Sequence, residues 1–388
     1  MCGLLLLAML VAISLVPLGL AAHWFARGPF ARAVETGKYS QAWLLVTLDP
    51  FLAGSTYPGD LMRTPVLSVA IGSNAPIARL LIRRGADVNR ADYCGDSPLH
   101  AAAWSGADTD IVRLLIQKGA RVDARNQSMG TALHYAARRG HTAIVTLLIA
   151  DKANPTARDA DGLLPIDHAV WGGHASAFAV LRRYGTSGMP YIHAAASFGD
   201  MAAVAKELRR DPRLANANYL GCRPLHLAAM HGRLAVVKYL LAHGAGVDPS
   251  WRGQTPLYLA VVAGDSTVVH CLVEHGANVN TMADGMTPLD EAVVDKNVAL
   301  MKYLVTHGAD VNLTEKGSYA TLHAAVITGR LDIVSYLVEH GADVTVVGLG
   351  KTPLQLAEER VKEGLGNPAV VRYLREVSSN KQRENARQ

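Results

Sequence analysis

The sequence predicts an all-α solenoid of stacked helix-turn-helix units with short β-hairpin fingers between them. Residues from Arg223 to Gly253 recur with changed letters from Thr255 to Gly285, and Thr287 begins the same run again. Each run contains two short apolar stretches of helical period, followed by a segment of turn-forming residues without that period. One such unit cannot bury its own apolar face, whereas a stack of units can, so the repetition predicts the solenoid.

The first apolar stretch of a unit predicts a short helix with a face of small residues. Pro224 suits the first helical turn, where its missing N–H would have no partner in any case. Leu225, Ala228 and Ala229 fall at i, i+3 and i+4, so they lie on one face. Gly232 ends the helix, because glycine adopts the left-handed conformation most easily.

The second stretch predicts another helix, which ends at His243 and Gly244. A histidine at this place can hydrogen-bond to the last carbonyls and interact favourably with the helix dipole. His275, His307 and His340 recur at the same position. Residues 245–252 contain turn formers and predict an extended finger that leads to the next unit. The apolar stripe of the second helix is Leu234, Val236, Val237, Leu240 and Leu241.

The period and the opening motif identify a known family. Successive units begin 32 to 34 residues apart, apart from a spacing of 26 between Leu164 and Pro190. The openings Ser-Pro-Leu-His-x-Ala-Ala at 97–103 and Arg-Pro-Leu-His-x-Ala-Ala at 223–229, with this period, resemble the ankyrin-repeat family. The resemblance extends over residues 30–377 and implies an ankyrin-repeat solenoid that binds another protein. The clear units open at Thr64, Ser97, Thr131, Leu164, Pro190, Arg223, Thr255, Thr287, Ala320 and Thr352.

The domain organisation follows from these spacings. Residues 1–29 form a hydrophobic membrane anchor or signal segment, and residues 30–63 a degenerate capping repeat and loop. Two sub-arrays of repeats, 64–188 and 189–377, are expected on either side of the short spacing, and the second includes a C-terminal cap. Residues 378–388 are polar and charged, which predicts a disordered tail.

The leader has two interpretations. Residues 2–26 carry no charge and are long enough to cross a bilayer, which predicts an uncleaved anchor. Arg27 and Arg32 follow this run, so the positive-inside rule would leave the repeats in the cytoplasm. The alternative is a cleaved signal peptide with a small-residue site near Ala21, which would make the protein periplasmic or secreted.

Composition and motifs argue against most kinds of chemistry. The net charge of +5 is spread along the chain without a basic stripe, so no nucleic-acid partner is expected. The three cysteines beyond the leader, Cys94, Cys222 and Cys271, lack disulfide or zinc spacing. Gly350, Lys351 and Thr352 resemble the end of a phosphate loop, but Thr345 stands where its first glycine would be. We therefore expect no catalytic residues, no cofactor, no metal and no small-molecule substrate.

The recurring histidine of the opening motif receives a structural interpretation. His100, His134, His193, His226 and His323 occupy one repeat position. The family resemblance implies that this side chain hydrogen-bonds to nearby backbone and links the loops of successive units. The alternative is a metal-binding role, and we favour the structural one.

Because no catalytic or cofactor-binding motif is found, we expect the surface of the repeats to carry the function. The resemblance implies that a partner contacts the finger tips and the exposed side of each first helix. We expect these contacts at Tyr93, Trp104, Arg138, Arg139, Trp171, Phe198, Tyr219, Met230, Trp251 and Arg252, because Trp, Tyr, Arg and Met are enriched at binding hot spots. The expected function is a protein-binding scaffold or inhibitor, tethered to a membrane. The alternative is an exported protein that binds and protects or inhibits a partner enzyme.

Overall fold

The fold is known from a computed structural model, which describes residues 65–184, 188–314 and 319–385, together with Ala33, Gln41, Ala42 and Leu45. The predicted leader and most of the predicted capping repeat lie outside the described residues. Ala33 and Ala42 of that repeat are buried. The chain divides between Met189 and Pro190 into two compact units, called here the N-terminal unit and the C-terminal unit.

The N-terminal unit consists of pairs of helices, and in each pair a tight turn joins the first helix to the second. Its core is one cluster of aliphatic and alanine side chains that extends through all of these pairs. The helices are α1 (Val66–Ser73), α2 (Ala75–Arg83), α3 (Pro98–Ser105), α4 (Thr109–Gln117), α5 (Ala132–Arg139), α6 (Thr142–Ala150), α7 (Pro165–Trp171) and α8 (Ala175–Arg182).

The C-terminal unit repeats the same arrangement and has its own continuous core. A short 3₁₀ helix, Pro212–Asn216, follows the first pair. The α-helices are α9 (Tyr191–Phe198), α10 (Met201–Arg210), α11 (Pro224–Met230), α12 (Leu234–Ala242), α13 (Pro256–Val262), α14 (Ser266–Glu274), α15 (Pro288–Val294), α16 (Val298–Thr306), α17 (Thr321–Thr328), α18 (Leu331–Glu339), α19 (Pro353–Lys362) and α20 (Pro368–Asn385). The predicted all-α repeat fold is therefore confirmed.

The recurring histidine of the first helices has the structural role that was expected. The backbone N–H of Ser97 donates to His100 Nδ1 at 3.2 Å, which caps α3. The Nε2 of His100 then reaches the carbonyl oxygen of Gly130 in the next finger, at 3.1 Å. His226 makes the matching pair of contacts, with Arg223 N and with Pro249 O. His100 and His226 thus fix a helix start and join it to the following unit. His193 makes only the linking contact, with Cys222 O at 3.1 Å, because Pro190 at its helix start has no N–H to donate.

The described fingers are tighter than the predicted β-hairpins. Among the described residues, the fingers form isolated antiparallel bridges and no extended strand. The four bridges join Tyr219 to Cys222, Trp251 to Gln254, Ala283 to Met286, and Gly348 to Lys351. The two residues at each tip have positive φ, for example 51° at Leu220 and 85° at Gly221. This is the backbone of a type I′ turn, which favours Asn or Asp before Gly. Only Asp284 among the four first-tip residues fits that preference.

The C-terminal end differs from its prediction. Helix α20 continues from Pro368 through Asn385, so the helix enters the segment 378–388 that was expected to be disordered. Lys381, Gln382 and Arg383 are good helix formers, and a helix that is already docked can extend without a new nucleation step. The docking is provided by Val370 and Leu374, which are buried in the core.

Candidate functional site

The most distinctive surface lies on the first helices of the N-terminal unit. Trp104, Arg138, Arg139 and Trp171 stand at the C-terminal ends of α3, α5 and α7, directly after the buried small residues. The helical period that buries Ala102, Ala103, Ala136, Ala137, Ala169 and Val170 therefore directs these next positions away from the core.

The two arginines are stacked on the two tryptophans. The guanidinium carbon of Arg139 lies 4.7 Å from the centre of the Trp104 ring, and that of Arg138 lies 5.5 Å from the centre of the Trp171 ring. Both distances fall within the range of cation–π contact. We call these four residues the Trp–Arg patch. Its planar cations are held in place by aromatic rings, so less conformational freedom remains to be lost on binding.

The patch has a surplus of positive charge. No carboxylate of the described residues forms an ion pair with Arg138 or Arg139. Partial burial, followed by the charge of Arg139, lowers the pKa of the Arg138 guanidinium from its usual value. Two like charges held side by side would both be stabilised by an anion, and a guanidinium fork matches a carboxylate in geometry.

Ring contacts extend the patch inward. Tyr135 of α5 packs edge-to-face against Trp104, with ring centres 5.7 Å apart, and also against His100 at 5.6 Å. Its hydroxyl accepts a hydrogen bond of 2.7 Å from Asn126 Nδ2. Tyr135 was missed by the sequence analysis, although a signal was present. It occupies the position between the motif histidine and the alanine pair that holds the smaller residues Ala101 in α3 and Leu227 in α11.

One cluster near the patch resembles a metal site. The ligand atoms of His134, Asp159 and His168 lie within 4.8 Å of one another. Both nitrogens of His134 are already used, since Nδ1 accepts from Thr131 N and Nε2 faces the carbonyl oxygen of Leu163 at 3.3 Å. A neutral imidazole whose Nδ1 accepts a hydrogen bond carries its proton on Nε2 and offers no free lone pair to a metal.

The same cluster is explained by structural hydrogen bonds. Asp159 Oδ1 accepts from the backbone N–H groups of Asp161 and Leu163, and Oδ2 accepts from His168 Nε2 at 2.7 Å. The hydrogen bond from His168 and those from the backbone outweigh burial and lower the pKa of Asp159. The cluster therefore fixes the finger before α7, on which Trp171 stands.

A cysteine and a histidine lie close together at the C-terminal end of α14. Cys271 Sγ lies 3.9 Å from His275 Nδ1, but that nitrogen also contacts the carbonyl oxygen of Cys271 at 2.7 Å. Burial raises the pKa of the Cys271 thiol, which disfavours the thiolate that a nucleophile requires. The arrangement matches the expected helix-ending histidine and not an activated cysteine.

The structure separates the predicted contact residues into two groups. Exposed positions are Tyr93, Trp104, Arg138, Arg139 and Arg252, while Trp171, Phe198, Tyr219 and Met230 are partly buried. Trp251 is only 6% exposed, so its prediction as a surface contact is wrong. Its ring packs edge-to-face on His226 at 6.2 Å and lies against Gly221. Sequence position alone did not show this, because Gly221 leaves room for the indole from thirty residues away.

No helix among the described residues is both long and apolar enough to cross a membrane. The leader, residues 2–26, lies outside the described residues, so its two interpretations stay predictions.

Comparison with known families covers most of the chain. A family described as "Ankyrin repeats (3 copies)" matches residues 30–126, 110–188, 182–250 and 245–315. A second, described as "Ankyrin repeats (many copies)", matches residues 304–357. No curated protein matches the chain.

Proposed function

Because this chain belongs to the ankyrin-repeat family, we propose that it is a protein-binding scaffold or inhibitor without catalytic activity, and that its Trp–Arg patch binds an acidic segment of the partner. Ankyrin-repeat proteins are generally interaction modules, which supports the first part. The second part rests on one observation: Arg138 and Arg139 are stacked on tryptophans and have no ion-pair partner in the described chain.

The patch suits an extended acidic segment. Its four side chains come from three successive first helices, and packed helices stand about 8–10 Å apart, so the patch is about 20 Å long. A carboxylate can bind a guanidinium by two parallel hydrogen bonds, and apolar groups of the segment can rest on the exposed indole of Trp104, which is 46% exposed. Such a contact buries two cations together with their counter-charges, which favours specificity.

Membrane tethering is a further part of this proposal. It is supported by the uncharged run of residues 2–26, with the positive residues Arg27 and Arg32 after it. Tethered protein would sediment with membranes and resist alkaline carbonate extraction. A soluble protein with an N-terminus near Ala22 would instead favour the exported alternative, in which the same patch binds an enzyme outside the cytoplasm.

The binding proposal is tested by a paired pull-down. The partner captured by wild-type protein from its own cells is compared with that captured by Arg138→Ala/Arg139→Ala. Affinity should fall about tenfold or more if either arginine is a hot spot. The matched control is Arg209→Ala/Arg210→Ala, which removes the same charge from an exposed arginine pair on α10. Unchanged capture by the first variant with unchanged melting would remove the patch from the interface.

A further inference from the structure

Beside the Trp–Arg patch lies a cavity of about 380 Å³ whose walls are aromatic and acidic. Trp104, Tyr135 and His100 line it. Asp92 and Asp96, which precede α3, line it as well. We call this the acidic pocket. Trp104 belongs both to the acidic pocket and to the Trp–Arg patch, so the two features adjoin.

The rings of the acidic pocket form a corner. Trp104 and Tyr135 meet at an angle of 73° and Tyr135 and His100 at 90°. An aromatic face attracts a cation, and a corner of two rings presents a face and an edge to a compact group. His100 is not itself a ligand, because its Nδ1 accepts from Ser97 N and its Nε2 faces Gly130 O.

The carboxylates of the acidic pocket are not neutralised. Asp92 Oδ1 accepts from the backbone N–H of Asp96, and Asp96 Oδ1 accepts from Asn126 Nδ2. Neither carboxylate forms an ion pair within the described chain. Their charge is felt by the adjacent phenol: burial first, and then the charge of Asp96, raises the pKa of Tyr135 to about 12.

We propose that the acidic pocket binds the ammonium group of a lysine side chain from the partner, with Asp92 and Asp96 as acceptors and Trp104 and Tyr135 as the aromatic wall. Lysine fits better than arginine, because its ammonium is compact whereas the guanidinium is a wide planar fork. The binding of an ammonium group is inferred from the residues of the acidic pocket, whereas the assignment of that group to the partner rests on the proposed function. The same segment would then carry both an acidic residue and a lysine.

The test uses small probes, so it does not depend on finding the partner. The full chain in nonionic detergent is labelled with ¹⁵N-tryptophan, and the Trp104 indole signal is assigned with Trp104→Phe. N-acetyl-lysine amide should shift this signal in a saturable manner, whereas N-acetyl-norleucine amide, which has the same four-carbon chain without the ammonium group, should not. N-acetyl-arginine amide should bind more weakly than the lysine probe.

Two variants separate the acidic pocket from the patch. Asp92→Asn/Asp96→Asn keeps the carbonyl oxygens that accept from Asp96 N and Asn126 Nδ2, so the fold should be retained, while lysine-probe affinity should fall about fivefold or more. Arg138→Ala/Arg139→Ala should retain lysine binding and lose the response to N-acetyl-glutamate amide. Equal shifts from norleucine, tighter binding of the arginine probe, or lysine binding unchanged in the Asn variant would each overturn the proposal. If wild-type protein binds the lysine probe but does not respond to N-acetyl-glutamate amide, the result counts against the proposed function and not against the acidic pocket.

Discussion

The Thr321 hydroxyl donates a hydrogen bond of 2.6 Å to Asp290 Oδ1, so one buried carboxylate joins the first helices of two successive repeats. Its other oxygen, Oδ2, accepts from the backbone N–H and the hydroxyl of Thr287, both at 2.8 Å, and so caps α15. Asp290 occupies the position at which other units carry the recurring histidine. A shorter acidic side chain thus performs the same two tasks, capping its own helix and linking to the next unit.

Replacing Asp290 with alanine should therefore destabilise the C-terminal unit. The substitution leaves three buried donors without an acceptor, and we expect a loss of about 2–4 kcal/mol in the free energy of unfolding. Urea unfolding followed by circular dichroism measures it. Asp295→Ala, at the exposed end of the same helix, is the control and should stay within about 0.5 kcal/mol. Equal losses in the two variants would contradict the linking role.

Burial of the recurring histidines predicts a stability that depends on pH. Burial lowers the pKa of His226 to about 4, against about 6.5 in an unfolded chain. The neutral imidazole is favoured in the folded state, so its contribution is complete above pH 6.5 and is lost as the pH falls towards 4. Between pH 7.5 and pH 5 this one group should remove about 2 kcal/mol.

His226→Gln is the informative variant for that dependence. Gln355 caps α19 naturally, since its Oε1 accepts from Thr352 N at 2.9 Å, so glutamine can replace the cap of His226 without titrating. At pH 7.5 the variant should lose about 1 kcal/mol, because the contact with Pro249 O is removed. Its unfolding free energy should then fall less steeply than that of wild type down to pH 5. Parallel curves for the two proteins would show that His226 does not cause the dependence.

The core stripe of the second helices gives a third prediction. Leu240 is fully buried within the core of the C-terminal unit, as its place in the repeat predicted. Leu240→Ala should cost about 2–5 kcal/mol, through lost burial and the cavity that remains. Leu365→Ala makes the same chemical change at a side chain that is 66% exposed. A denaturation midpoint that moves equally in both variants would exclude a cavity effect.

The sequence predicted the elements of this fold better than the surfaces of its side chains. Helix starts at Pro224 and Pro256 follow from local spacing, because capping and periodicity act within one unit, whereas the linking role of His226 was implied by the family resemblance. The burial of Trp251 and the contact between Tyr135 and Trp104 depend on residues about thirty positions away. Whether such a side chain is exposed depends on the size of the residue that the neighbouring unit places against it, such as Gly221. A single repeat does not contain that information.

The last prediction asks whether the Trp–Arg patch acts by shape or only by charge. Arg138→Lys/Arg139→Lys keeps both positive charges but removes the planar forks that stack on Trp171 and Trp104 at 5.5 and 4.7 Å. If bidentate carboxylate contacts from stacked guanidiniums hold the partner, the lysine variant should lose most of the affinity that the alanine variant loses, about tenfold. If only the field of two cations matters, the lysine variant should bind nearly as well as wild type at low salt, and both should weaken together as salt is raised.

Affinity measured at two ionic strengths for wild type, the lysine pair and the alanine pair distinguishes these outcomes, with thermal melting as the check that each variant is folded. Full binding by the lysine pair would reject the stacked geometry as the source of specificity, while leaving a purely electrostatic attraction between the patch and an acidic segment.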